Sequence, residues 1–212
     1  IRILNRRFDS SMNRNLSDLV IEDMSKFEIV QEIGSGGYGK VYKVCYNGTF
    51  TAAAKQFISK TNKESQMFKS LLHEAEIQSR LNHPAVLKVI GIAPNGFESK
   101  DPILVTEYMP NGSVCDYMPN SFTPTQKQII LYGTAKGMEY LHSNKIIHRD
   151  IKPDNILLNE YLFPKIADFG FSKITSQIFS RSQSRICGTQ NYVAPEVKTG
   201  LYNAGADVYA FA

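Results

Sequence analysis

Apolar and polar residues change rhythm several times along this chain, and each change predicts an element. FEIVQEI (27–33) alternates apolar and polar positions, as a half-buried strand does. A glycine cluster follows. KVYKVCY (40–46) is again strand-like and rich in β-formers. Asn47-Gly48 signals a tight turn into a third strand, FTAAAKQF (50–57). From about 64 to 81 the period lengthens. Met67, Phe68, Leu71, Leu72, Ala75 and Leu81 recur at helical spacing until His83-Pro84 stops it. VLKVIGI (86–92) and ILVTEY (103–108) read as short strands, and Pro110-Asn111-Gly112 marks a joint. Beyond the joint the pattern is mostly helical. Leu131, Ala135, Met138 and Leu141 are expected to line one face of a helix over about 125–142. Residues 1–26 are polar and read as a tail or linker, with a short ordered piece at Leu16–Ile21. The chain thus divides into that tail, a strand-rich lobe over 27–107, and a hinge with a helical lobe over 108–212.

Composition narrows the class. The 212 residues carry 24 Lys and Arg against 20 Asp and Glu, a net charge of +4, and 42% are hydrophobic. This is the balance of a globular protein, not a disordered one. No apolar run approaches the ~20 residues of a membrane span, and the charge is too mild and too evenly spread for a nucleic-acid partner. Cys45, Cys115 and Cys187 are odd in number and form no CxxC pair, so neither a disulfide framework nor a zinc site is expected. A reducing, cytoplasmic compartment follows as the default.

Three segments carry chemistry. Gly34-Ser35-Gly36-Gly37-Tyr38-Gly39 lies between two strands, where glycines let the backbone approach a phosphate closely. Alone it is also readable as a glycine-rich hairpin. IIHRDIKPDNILL (146–158) is far more specific. Phosphoryl transfer needs a group to orient the attacking hydroxyl and accept its proton, a positive charge on the moving phosphate, and an oxygen ligand for magnesium. Asp150, Lys152 and Asn155 suit those tasks in that order. KIADFG (165–170) supplies a second hard oxygen ligand, Asp168, with Gly170 to permit the turn that aims it.

Together these segments resemble the eukaryotic protein kinases, from about Phe27 to Ala212. The resemblance implies an α+β, two-lobed fold. Its N-lobe is a five-stranded antiparallel sheet with one helix, and its C-lobe is mainly helical and here incomplete. It also implies ATP with Mg2+, or Mn2+, bound between the lobes. Lys55 resembles the lysine that pairs with the α- and β-phosphates, and Glu74 its ion-pair partner; Glu76 falls about 200° away round the helix. Val41 and Ala53 resemble the apolar lid over adenine and Leu157 its floor. Thr106 resembles the gatekeeper, Glu107 and Tyr108 the hinge, and Ser113 a residue near the ribose.

GTQNYVAPE (188–196) resembles the peptide-positioning segment, and Lys152 with Thr189 is the serine/threonine pattern. The hinge resembles the tyrosine-kinase-like group, which leaves dual specificity open. The implied partners are a protein substrate and an upstream kinase, or autophosphorylation. The loop sites would be Ser180, Ser182 or Ser184, with Thr175 and Ser176 nearby, and Arg149 would pair with the phosphorylated residue.

Two departures stand out. Gln78 occupies a helix position that the resemblance makes usually apolar, so a helix that sits loosely or needs a partner is expected. The chain also stops within DVYAFA, where the resemblance places the start of a central helix. This raises the alternative that the chain is a nucleotide-binding or pseudokinase-like scaffold. Asp207 is retained and is expected to hold the catalytic-loop backbone.

Overall fold

A computed structural model describes residues 16–36, 39–57, 64–97, 101–118, 121–174, 189–199 and 203–212. The chain forms two compact units. One holds residues up to Asn82 together with Lys88–Tyr108, and the other holds His83–Leu87 together with Met109–Ala212.

In the first unit, strands β1 (Phe27–Gly36), β2 (Gly39–Tyr46), β3 (Phe50–Gln56), β4 (Val89–Ala93) and β5 (Ile103–Glu107) form one antiparallel sheet in the order β1-β2-β3-β5-β4. Asn47 and Gly48 adopt left-handed φ values of 45° and 65°, and the Thr49 N–H bonds the Tyr46 carbonyl, so the predicted turn forms. Paired residues share a face of a sheet. Val41, Lys43, Ala53, Lys55, Leu104 and Thr106 therefore line one side, and Tyr42, Val44, Ala52, Ala54 and Val105 the other. On the first side Leu104 joins Phe57, Val89 and Ile92 in a core with Leu71 and Ala75 of helix α1 (Glu64–Ser79). On the second side Met24 and Phe27 close over Val44, Ala52, Ala54 and Val105.

Residues 16–26, read from sequence as part of a polar tail, carry structure up to the first strand. A 3-10 turn at Leu16–Leu19 buries Leu19 completely in the α1 side of the core. Val20 bridges Ile92, and the Ile21 N–H donates to the Ile92 carbonyl at 2.7 Å. The close approach depends on Gly91. A Cβ there would lie 2.6 Å from Ile21 Cδ1 and 2.8 Å from the Leu19 carbonyl oxygen.

The strand expected over 86–92 begins only at Val89. Val86 and Leu87 instead bond Ile166 in the second unit. That unit holds helices α2 (Pro124–Ser143) and α3 (Ala204–Phe211), with two short ladders. β6 (Ile146–Ile147) pairs β9 (Lys173–Ile174), and β7 (Ile156–Leu158) pairs β8 (Pro164–Ile166). A capping box starts α2: Thr123 Oγ1 accepts the Gln126 N–H and Gln126 Oε1 accepts the Thr123 N–H, with Pro124 in the first turn.

The buried stripe of α2 is Ile130, Thr134, Gly137, Met138 and Leu141. Met138 and Leu141 were anticipated, but Leu131 is 55% exposed and Ala135 faces solvent. Adjacent apolar residues at Ile130 and Leu131 leave the phase of the periodicity ambiguous. Close packing resolves it: a Cβ on Gly137 would stand 2.8 Å from Ile166 Cδ1 and 2.9 Å from the Ala85 carbonyl oxygen.

Candidate active site

The first unit places several expected nucleotide-site residues on one face of its sheet. Val41 pairs Lys55, and Ala53 sits between Lys43 and Thr106 across the ladder. Gly36 pairs Gly39 at the closed end of the β1–β2 hairpin; Gly37 and Tyr38 lie outside the described residues. Gly34 faces Val41 and Ser35 faces Lys40 in the same ladder. Lys55 Nζ lies 3.3 and 3.4 Å from the two carboxylate oxygens of Glu74. Glu74 is 3% exposed, so its charge is countered at close range in a poorly solvated place. Glu76 points elsewhere, to Arg80 at 2.6 Å on the helix surface, which settles which glutamate pairs with Lys55. Gln78 is buried, so α1 takes an amide into its inner face.

At the end of β5, Thr106 is nearly buried and donates its hydroxyl to the Glu107 carbonyl at 3.2 Å. The Glu107 carboxylate turns back to accept the Lys88 N–H at 2.8 Å, and the Glu107 N–H donates to the Lys88 carbonyl. Glu107 thus anchors the chain leaving the sheet. Tyr108 carries the Lys43 ammonium 4.9 Å above its ring centroid.

In the second unit the residues expected to form the catalytic loop converge. Asp150 is 5% exposed, and both of its carboxylate oxygens are engaged. Oδ1 accepts the Thr189 N–H at 2.9 Å and the Thr189 hydroxyl at 3.0 Å. Oδ2 accepts Asn155 Nδ2 at 2.9 Å and lies 3.2 Å from Lys152 Nζ. Lys152 Nζ donates in turn to Thr189 Oγ1 at 2.7 Å. The Thr189 hydroxyl therefore links the cation to the carboxylate.

The loop around them is held by His148, Asp207 and His142. His148 is fully buried; one ring nitrogen meets the Ala167 carbonyl at 3.0 Å, and the other accepts the Asp150 N–H at 3.4 Å. Its ring also meets Phe169 edge-on at 4.9 Å. Burial pushes its pKa below the usual histidine value, which fits a neutral ring donating on one side and accepting on the other. As expected, Asp207 on α3 holds the loop backbone, accepting the N–H groups of His148 and Arg149 at 2.8 Å each. His142 on α2 adds a third contact to the same carboxylate, 2.8 Å from Oδ2. Sequence alone offered no signal for that histidine.

Asn155 donates Nδ2 to the Asp150 carbonyl and to its carboxylate, which presents Oδ1 as the amide's remaining polar atom. Asp168 sits in a left-handed conformation with φ 61° and ψ 76°, and its Oδ1 accepts the Gly170 N–H at 3.4 Å. An amide oxygen and a carboxylate are hard donors, the kind that would suit magnesium better than a softer metal. Leu157 packs against Leu87, Met109 and Ala167, and it bridges Ser113 across a short antiparallel contact. The Ser113 N–H and hydroxyl both donate to Asp116 Oδ2, at 2.7 and 2.9 Å. Met109, which sequence reading passed over, thus adjoins the expected adenine floor. Thr175, Ser176, Ser180, Ser182 and Ser184 lie outside the described residues.

Comparison with known proteins identifies the family. Residues 27–212 match the family model of the protein kinase domain. Cysteine-rich receptor-like protein kinase 37 of Arabidopsis thaliana is 33% identical over 223 residues, covering 99% of this chain and 34% of the relative. A probable receptor-like serine/threonine-protein kinase of the same plant is 34% identical over 189 residues, 84% of this chain and 42% of the relative. A probable serine/threonine-protein kinase of Dictyostelium discoideum, drkD, is 34% identical over 195 residues, 89% of this chain and 14% of the relative. The chain spans 12% to 42% of the length of the curated relatives it matches. With its family match from residue 27 to residue 212 and its relatives named as kinases, the chain belongs to the protein kinase family of enzymes and is similar to its serine/threonine members.

Proposed function

We propose that the protein transfers the γ-phosphoryl group of ATP to serine or threonine hydroxyls of a protein substrate. The observation that carries this reading is the triangle of Asp150, Lys152 and Thr189, with contacts of 2.7 to 3.2 Å. Asp150 receives the substrate hydroxyl in place of a Thr189 donor and takes its proton as the new O–P bond forms. The bond from the γ-phosphorus to the β,γ-bridging oxygen breaks, and ADP leaves. Lys152 balances the charge of the moving phosphoryl group, and Lys55, held by Glu74, meets the α- and β-phosphates. Asn155 and Asp168 would hold magnesium, which neutralises phosphate charge when bound. The glycine-rich hairpin, Val41, Ala53, Thr106, Tyr108, Ser113 and Leu157 contribute to the nucleotide site in this reading.

Asp150→Asn tests it. Transfer to an acceptor protein is expected to fall by roughly 10²-fold or more, with MgATP affinity within about twofold of wild type. Full activity in that variant would falsify the assignment. Nucleotide binding without any transfer by the wild-type chain would favour a scaffold instead.

Regulation by phosphorylation between Asp168 and Glu196 is part of the proposal. Its support is Arg149, which has a left-handed φ of 73° and reaches the Phe171 carbonyl with Nη1 at 3.5 Å, near the start of that segment. An upstream kinase or autophosphorylation would supply the phosphate. Replacing Ser180, Ser182 and Ser184 together by Ala is expected to lower activity, and undiminished activity would sink this part. We assign the domain to a reducing, cytoplasmic compartment on the strength of its free Cys45 and Cys115. Among the described residues no helix is long and apolar enough to cross a membrane.

A further inference from the structure

We propose that Phe57 is a positioning residue for the Lys55–Glu74 pair, acting through its ring rather than through its bulk. The inference rests on the reading above, in which Lys55 meets nucleotide phosphates. Lys55 Nζ stands 5.1 Å from the centroid of the Phe57 ring. The same ring is 5% exposed and belongs to the core that contains Leu71 and Ala75 of α1. Those two residues flank Glu74, one turn before it and one residue after it. One aromatic side chain therefore lies under the ammonium and shares a core with the helical turn that presents the carboxylate. Its backbone is pinned as well, because the Phe57 N–H donates to the Pro102 carbonyl at 3.0 Å.

The chemistry of a ring suits this place. A cation over an aromatic face is attracted by the ring quadrupole, most strongly where water is scarce. The ring carries no net charge, so it holds the ammonium without competing with a phosphate as a second carboxylate would. An aliphatic residue of similar size fills the core and supplies no such attraction. Sequence gave Phe57 no role beyond closing a strand; the i, i+2 spacing from Lys55 places both on one side of an extended chain.

The test is a double-mutant cycle on the full chain, read by binding of a fluorescent MgATP analogue and by steady-state kinetics. Phe57→Leu is expected to weaken analogue binding and raise KM for ATP about fivefold, equivalent to ~1 kcal/mol, with KM for the acceptor protein unchanged. Phe57→Tyr, which keeps the ring, should restore both, while the two variants melt within a few degrees of each other. In a Lys55→Met background, Phe57→Leu should alter analogue binding less than twofold. Phe57→Met replaces the leucine variant if that one does not fold.

Equal losses in the Lys55 and Lys55→Met backgrounds would show that the ring acts by packing alone and would overturn the proposal. So would a tyrosine variant no better than the leucine variant. A wild-type chain that binds the analogue but transfers no phosphate overturns the kinase reading, and the binding cycle still decides the role of Phe57. A wild-type chain that binds no nucleotide overturns both.

Discussion

Asp207 and Arg149 are 58 residues apart in sequence and joined by one hydrogen bond of 2.8 Å, from the Arg149 N–H to Asp207 Oδ1. Arg149 has a left-handed backbone, φ 73°, which a non-glycine residue adopts only when its surroundings over-determine it. The carboxylate does so, capturing the His148 N–H and His142 as well. Asp207 is 1% exposed, so these hydrogen bonds are shielded from bulk solvent.

Asp207→Asn should therefore act on both stability and rate. It removes the charge and one of the two acceptor oxygens, stranding a buried N–H at a cost of ~1–3 kcal/mol. Chemical denaturation should show that loss, and kcat should fall because Asp150 follows Arg149 directly. An unchanged midpoint would mean that the loop keeps its shape without this anchor.

Thr189 can be dissected by size and by hydroxyl. Thr189→Ser keeps the link between Lys152 and Asp150, and kcat should stay within about threefold of wild type. Thr189→Ala removes the hydroxyl's two hydrogen bonds to charged partners, the one it accepts from Lys152 and the one it donates to Asp150, and should lower kcat by roughly tenfold or more, with little change in KM for ATP. Equal activity of the serine and alanine variants would remove the hydroxyl from the mechanism.

Stability should depend on pH through buried histidine. Burial lowers the pKa of His148 more than the carboxylates of Asp207, Asp168 and Asp150 raise it. The unfolded chain then binds a proton more readily than the folded one. The contribution of His148 is fully present above its unfolded pKa, ~6.5, and is lost as pH falls below it. His83 has the same sign, from burial first and from Lys136 next. Thermal midpoints measured from pH 7.5 to pH 5 should fall. The slope should be shallower in His148→Asn; a slope identical to wild type would assign the effect to other groups.

The segment before β1 should matter to the fold. Leu19→Ala opens a cavity between α1 and β4 and should cost ~2–5 kcal/mol, the range for a fully buried leucine. Gly91→Ala should also destabilise, because its Cβ would meet Ile21 and the Leu19 carbonyl. Denaturation midpoints check both, and a neutral Leu19→Ala would mean that residues 16–21 detach without loss.

Much of the site was legible before any fold was known. Asp150, Lys152 and Asn155 fall within six consecutive residues, and Asp168 follows in a second short run, so chain connectivity alone brings their chemistry into view. The strands of the first unit were readable for a similar reason, since alternation, β-propensity and the Asn47-Gly48 turn are local properties. The phase of α2 was not readable. Ile130 and Leu131 are interchangeable as hydrophobes, and only the approach of Ile166 and Ala85 to Gly137 selects between them.

By itself the sequence determined which residues are candidates for the chemistry, the order of the elements around them and the family to which the chain belongs. Tertiary structure decided what those groups touch. Glu74 rather than Glu76 meets Lys55, Thr189 bridges Lys152 to Asp150, Asp207 and His142 secure the loop that carries Asp150, and Leu19 turns part of a polar tail into core. The division has a physical cause. Propensity and spacing act over a few residues, whereas these contacts join side chains that only close packing can bring within a hydrogen bond or a van der Waals radius of one another.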